Sequence, residues 1–275
     1  MVTVHTRVKS GAPRRVRTAD TLIFNQVLYQ LSYRSIKLIN INMIPNYDSY
    51  YKKYANQTLS WLSSDKEQLY KHNLIRRRAE LERYNWIDSD ITYRFNSFGF
   101  RCDEFTEVPT AMFLGCSLTI GVGLPINTIW PKIVSDNLNL KCANLGIAAG
   151  SPDTAFRLCH GHIDLIKPKI VVYLTPPAGR FELSDGSPRL YGPWNFGHFK
   201  SPEIYKIWAG CEDNLFFNEE KNLLGIKMLC TERNIKFINV NSSELRTNES
   251  LARDLAHPGI ECNHIFAHKL LNTIN

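Results

Sequence analysis

Long apolar runs are missing from this chain. No stretch approaches the roughly 18–20 residues that a membrane-spanning helix needs. The start is basic, but no apolar region with a cleavage site follows it, so no secretion signal is expected. Paired cysteines are missing too. The seven cysteines, at 102, 116, 142, 159, 211, 230 and 262, form no CxxC pair and no regular framework. An odd, unpatterned set without a leader fits reduced, buried thiols and a cytoplasmic location. Excess charge is scarce once it is localised. The net charge is +7, but residues 1–42 hold seven Lys/Arg against the single acid Asp20, and the remaining 233 residues carry 26 basic and 25 acidic groups. A nearly neutral body argues against a nucleic-acid partner. Internal repeats are also absent.

What is present is a globular composition. Apolar residues make up 44% of 275 and charged residues 21%, enough to bury a substantial core. Residues 1–42 differ in texture from the rest. Their segment GAPRRVRTADTLIFNQVLYQLSYRS resembles translated transfer-RNA gene sequence, so we expect a non-native or disordered extension, with Met43 as a start. A basic, partly helical extension and a mitochondrial-type presequence are the alternatives. Residues 43–106 are expected to form a helical lead-in, with helical spacing of Tyr50, Tyr54, Leu59, Leu62, Leu69, Leu74 and Leu81 over 47–86. The basic run RRRAELERY (76–84) reads as a solvated helix face.

From residue 107 the pattern becomes α/β. Strands are expected at TAMFLG (110–115), KCANLGI (141–147), IVVYL (170–174) and IKFINV (235–240), with helices at 125–138, 151–166, 218–233 and 264–274. In the second helix Ser151 suits the N-cap, Pro152 the first turn and Asp153 the positive end of the dipole. Alternation of strand and helix predicts a doubly wound parallel sheet in a three-layer α/β/α sandwich over 107–275.

Sites in such sheets form at the carboxyl ends of strands. After the first strand comes Gly115-Cys116-Ser117-Leu118-Thr119-Ile120-Gly121. A serine on a strand-to-helix turn can expose its hydroxyl above the sheet, beside backbone N–H groups that favour negative charge. The same serine could simply cap a helix. After the second strand comes NLGIAAGS (144–151), small residues running into a helix. Near the end, Asp254 stands three residues before His257, followed by Pro258-Gly259. A carboxylate so placed can hold one imidazole nitrogen and leave the other for a nucleophile.

Together, residues 110–272 resemble the SGNH/GDSL hydrolase family. FLGCSLTIGVG is similar to its first block, NLGIAAGS to its second and DLAHPG to its last, and NSFGFRCDEF (96–105) resembles a segment preceding the nucleophile strand in one branch. The resemblance implies a flavodoxin-like fold. It also implies Ser117 as nucleophile, His257 as base, Asp254 as its orienting acid, and the Ser117 and Gly150 N–H groups as an oxyanion hole. No cofactor or metal is implied, and the expected partner is a small-molecule or carbohydrate ester. Asn96, Gly99 and Arg101 are expected to be structural. Two positions depart from the family. Cys116 replaces the usual aspartate before the serine. In Leu174-Thr175-Pro176-Pro177-Ala178-Gly179-Arg180 a proline stands where the family places an oxyanion asparagine. Losing one such donor costs about 10²–10³ in rate. Thr175 or Arg180 could substitute for it. A domain that binds a glycan or small ligand without turnover is therefore the competing expectation.

Cys159, His160 and His162 do not share one helix face, and His264 and His268 have no matching acid, so neither group is expected to bind metal. The aromatic stretch YGPWNFGHF (191–199) is expected to be either a pocket wall or a packed insertion. The sequence specifies no oligomeric state.

Overall fold

The computed structural model describes residues 52–184, 188–196, 202–247 and 249–274. Expectations for residues 1–51, and for 197–199 of the aromatic stretch, lie outside the described residues.

The elements run β1 (Thr58–Leu59), α1 (Glu67–Arg76), α2 (Arg78–Arg83), β2 (Tyr93–Arg94), β3 (Thr110–Leu114), α3 (Ser117–Ile120), α4 (Trp130–Asn137), β4 (Lys141–Asn144), α5 (Pro152–Ile166) and β5 (Ile170–Thr175). They continue with β6 (Phe181–Ser184), β7 (Pro188–Tyr191), α6 (Pro202–Ala209), α7 (Glu212–Thr231), β8 (Lys236–Asn241) and α8 (Ile260–Ile274).

Four parallel strands form the central sheet in the order β4-β3-β5-β8. The first of them by sequence lies inside, the second at one edge, and the third and fourth on the other side. That is the flavodoxin-like order expected from the sequence. The strand compositions follow their positions. β5 is an uninterrupted run, IVVYLT, buried at every residue because both sheet faces are covered. β8 sits at the end of the order and mixes exposed with half-buried residues, none of them fully buried.

Side-chain alternation splits the core in two. Ala111, Phe113, Val172 and Leu174 face α4 and α8, where Trp130 and Phe266 pack. Met112, Leu114, Val171 and Tyr173 face α5 and α7. Helices on both faces make the three-layer sandwich.

The helix α5 begins as expected. Ser151 accepts from the Thr154 N–H, and Thr154 answers through its hydroxyl. The expected helix over 125–138 is shorter. A 3-10 turn spans Ile126–Thr128, Ile129 is extended, and α4 starts only at Trp130. Pro131 explains the break, since it has no N–H and its ring collides with a carbonyl four residues back in a continuous helix.

The helical reading of 47–86 is likewise corrected in part. Its described part holds β1, a tight turn at 62–65, α1 and α2. The turn residues Ser63, Ser64 and Asp65 break the periodicity. A third apolar cluster joins this segment to the carboxyl edge of the sheet, with Leu81, Trp86, Ile91 and Tyr93 packed with Ile120, Val122, Leu124 and Leu255. Within the basic run, Arg77 donates to Glu80 and Arg78 to Glu82 in surface pairs. Among the described residues no helix is long and apolar enough to cross a membrane.

Candidate active site

Ser117, Asp254 and His257 come from two loops at the carboxyl edge of the sheet. Gly115 ends β3 at φ 151°, and a Cβ there would lie 2.9 Å from the Leu174 carbonyl oxygen, so only glycine lets the chain turn this close to β5. The next residues start α3 with Ser117 in its first turn. Asn144 braces this turn from β4. Its amide donates to the Thr119 carbonyl at 2.8 Å, and its oxygen accepts from the Gly146 N–H at 3.0 Å. Arg101 closes the other end of α3. It is buried and donates to the carbonyls of Ile120, Gly121 and Leu124 while lying over the Tyr93 ring. Burial pulls its pKa down to about 10, which still leaves a cation at neutral pH, where a helix C-terminus favours one. The expected structural role of Arg101 is thereby explained. Asn96 also acts structurally, its side-chain oxygen accepting from the Phe98 and Phe100 N–H groups, and Gly99 takes a left-handed turn at φ 84°.

The second loop places His257. Ala252 donates to the His257 carbonyl and Gly259 to that of Ser250, so the loop closes on itself. Leu255 sits at φ 53°, a costly conformation for leucine that persists only where surroundings hold it. Asp254 Oδ1 accepts the backbone N–H groups of Ala256 and His257, each at 3.0 Å. Asp254 Oδ2 lies 2.6 Å from His257 Nδ1, and His257 Nε2 lies 2.8 Å from Ser117 Oγ. The proton positions follow from chemistry. An ionised carboxylate can only accept, so Nδ1 carries the hydrogen, and in the neutral imidazole Nε2 is then the acceptor to which the Ser117 hydroxyl donates. The Asp254 side chain is 0% exposed and that of His257 18%. Burial raises the Asp254 pKa, but the His257 hydrogen bond and charge, the Ser64 hydroxyl and the loop N–H outweigh it, and the carboxyl ends below the usual aspartate value.

The oxyanion positions are less complete. The Ser117 N–H meets no acceptor among the described residues. Gly150 lies close by, since a Cβ on it would be 3.1 Å from the Gly115 oxygen. Its N–H, however, donates to Ile147 O at 2.9 Å in a turn that also holds Ala149 at φ 65°. The Thr175 hydroxyl is buried and donates to Asn239 Oδ1 at 2.8 Å. Arg180 reaches the Gly150 carbonyl at 3.3 Å, stacks on Trp194, and keeps a buried Nε with no partner. A narrow cleft over Ser117 is walled by Leu118, Val122, Leu245 and Pro258.

Several contributors carried no sequence signal. Ser64 donates to Asp254 Oδ2 at 2.7 Å across 190 positions of chain. Asp65 and Arg253 form a buried ion pair beside it. No spacing rule links such distant positions. The remaining candidates disperse. Cys159 is buried in the same apolar cluster as Cys230, whereas His162 packs edge-on against Phe100. In the aromatic stretch Tyr191 stacks on Phe181 in a buried satellite cluster, and Trp194 stays partly exposed under Arg180.

No protein-family model matches the chain, and no curated protein does. Among solved structures it is similar to a G-D-S-L family protein from Desulfitobacterium hafniense, with 11% identity over 59% of this chain and 98% of that one, at a TM-score of 0.33. It is also similar to the esterase EstA from Pseudoalteromonas, with 12% identity over 60% and 96% of the two chains and a TM-score of 0.34. A third is the salicylyl-acyltransferase SsfX3 of a tetracycline biosynthetic pathway, with 11% identity over 62% and 56% and a TM-score of 0.38. Likeness at this level carries no argument about chemistry, which rests on the site geometry.

Proposed function

We propose that this chain is a serine esterase or acylhydrolase of the SGNH/GDSL type. The observation that carries the reading is the unbroken relay from Asp254 Oδ2 through both nitrogens of His257 to Ser117 Oγ, at 2.6 and 2.8 Å. Both distances lie within the reach required for proton transfer. In this reading His257 takes the Ser117 proton as Oγ attacks the ester carbonyl. Asp254 holds the reactive tautomer and stabilises the imidazolium. The Ser117 N–H, at the start of α3, receives the developing oxyanion. Gly150 joins only if its N–H leaves the Ile147 carbonyl. Arg180, with its unpartnered Nε, is the nearer substitute for the missing asparagine, because Thr175 spends its hydroxyl on Asn239. His257 then protonates the leaving alcohol, and water or a second alcohol releases the acyl group. A carbohydrate or other small ester is the proposed substrate class.

A proline at the asparagine position and the engaged Gly150 N–H favour a second reading, a glycan- or small-ligand-binding domain without turnover. One pair of measurements separates them. A fluorophosphonate probe should label the protein at Ser117 and spare Ser117→Ala, and p-nitrophenyl acetate hydrolysis should fall to background in that variant. Equal, near-background rates without labelling would leave the binding reading.

A further inference from the structure

Every group in the relay comes from the carboxyl edge of the sheet, yet one more hydroxyl reaches it from the other end of the chain. Ser64 lies in the turn closed by reciprocal Leu62 and Asp65 backbone bonds of 2.9 and 3.0 Å, with Ser63 at φ 58°. This turn faces the Asp254–His257 loop, and successive residues meet in opposite order: Asp65 with Arg253, then Ser64 with Asp254. Arg253 donates Nε and Nη2 to the two Asp65 oxygens at 3.0 and 2.7 Å, and its guanidinium lies 4.1 Å from the Trp61 ring centre. Arg253 also donates to the Ser60 carbonyl, and Tyr93 donates to Asp65. Two charges held this firmly fix the register of the turn against the loop. That register sets Ser64 Oγ 2.7 Å from Asp254 Oδ2 and 3.4 Å from His257 Nδ1.

The Asp254 carboxylate has room for about four hydrogen bonds. Oδ1 takes the two loop N–H groups, which cannot leave without opening the loop. Oδ2 takes His257 and Ser64. Among the described residues, Ser64 is therefore the one side chain that shares Oδ2 with the imidazole.

We infer that Ser64 is a positioning residue of this site, holding Asp254 Oδ2 at His257 and drawing off part of the charge that the carboxylate presents to the imidazole. The inference rests on the reading in which Asp254 orients His257 toward Ser117. The hydroxyl acts in two ways. It limits rotation of the carboxylate, which keeps Nε2 aimed at Ser117. It also weakens the pull of Asp254 on the imidazolium, since a hydrogen bond to a carboxylate spreads its charge. Its removal should therefore loosen the relay and let His257 hold its proton to higher pH.

The test is NMR titration of the His257 ring in the intact chain, paired with the rate of fluorophosphonate labelling as a function of pH. In Ser64→Ala the His257 midpoint should move upward from that of the unmutated chain, because the carboxylate beside it then carries less-shared charge. Labelling below that midpoint should slow about tenfold, as expected when a reacting pair loses alignment. Ser64→Thr, which keeps the hydroxyl, should restore both. Should Ser64→Ala unfold, Ser64→Cys keeps the volume with a weaker donor and should give a smaller shift in the same direction. Identical titrations in all variants, or equal shifts in Ser64→Ala and Ser64→Thr, overturn the inference. Wild-type protein that never labels at Ser117 sinks the esterase reading instead, and the titration still decides whether Ser64 tunes His257.

Discussion

Burial and hydrogen bonding oppose each other at Asp254, and the hydrogen bonds win, holding its carboxyl below the ordinary range. The consequence for stability has a definite sign. A carboxyl with its pKa depressed on folding adds stability that is whole above the unfolded value, about 3.9, and is lost as the pH falls through the folded value. Asp254→Asn should flatten that acid arm when urea unfolding is followed from neutral pH downward. The same variant should lower kcat on an activated ester by about 10⁴, because an amide cannot impose the reactive tautomer on His257. A small kinetic loss would mean that His257 is oriented by something else, and Ser64 would be the first suspect. Arg101 makes the contrasting case. It is buried and charged, yet its role is to satisfy the carbonyls that α3 leaves open, so it supports Ser117 without touching the chemistry.

At the scale of elements, the loop after β8 is held by the segment that precedes the sheet. Trp86 Nε1 donates to Leu251 O, Asp65 holds Arg253, Ser64 holds Asp254, and Arg77 donates to Leu255 O. These anchors are spread along one short loop, and they hold Leu255 in its left-handed conformation. The Asp65–Arg253 pair is the most sensitive, since both side chains are at most 3% exposed. Breaking it leaves a buried charge alone, at a cost of about 3–5 kcal/mol. Arg253→Met and Asp65→Asn should each lose stability of that order in urea unfolding. Replacing both with apolar residues should recover much of it. If each single variant costs under about 1 kcal/mol, like a surface pair, the anchoring account of the loop fails.

At the largest scale, the described residues from 52 onward form a three-layer sandwich with one added flank, and that flank reaches the candidate site through Ser64. Residues 107–275 alone would expose Ile120, Val122, Leu124 and Leu255, which now pack with Leu81, Trp86, Ile91 and Tyr93. Their apolar surface, at about 25 cal/mol per Å², is too large a fraction of a marginal stability to give up. A 107–275 fragment should therefore show no cooperative thermal transition by circular dichroism, and cooperative unfolding of that fragment would show that the flank is dispensable. The sheet itself was legible in the chain. Uninterrupted apolar runs such as IVVYLT and the capping pattern at Ser151 are local signals, set by side-chain periodicity and backbone hydrogen bonding, so the parallel sheet and its layers followed from them, whereas the flavodoxin-like strand order was implied only by the family resemblance. The proposed order Ser117, Asp254, His257 came from the family resemblance of the three blocks, since the turn around each residue is a weak signal by itself. Helix limits at Ile129 and at the 62–65 turn were less so, since propensity alone did not weigh one proline or two serines against a long apolar period. Ser64, Asp65 and Arg253 were not legible at all. Their meeting depends on how the first described segment folds back over the last loop. A hydrogen bond across 190 residues has no local pattern, and only tertiary packing decides it.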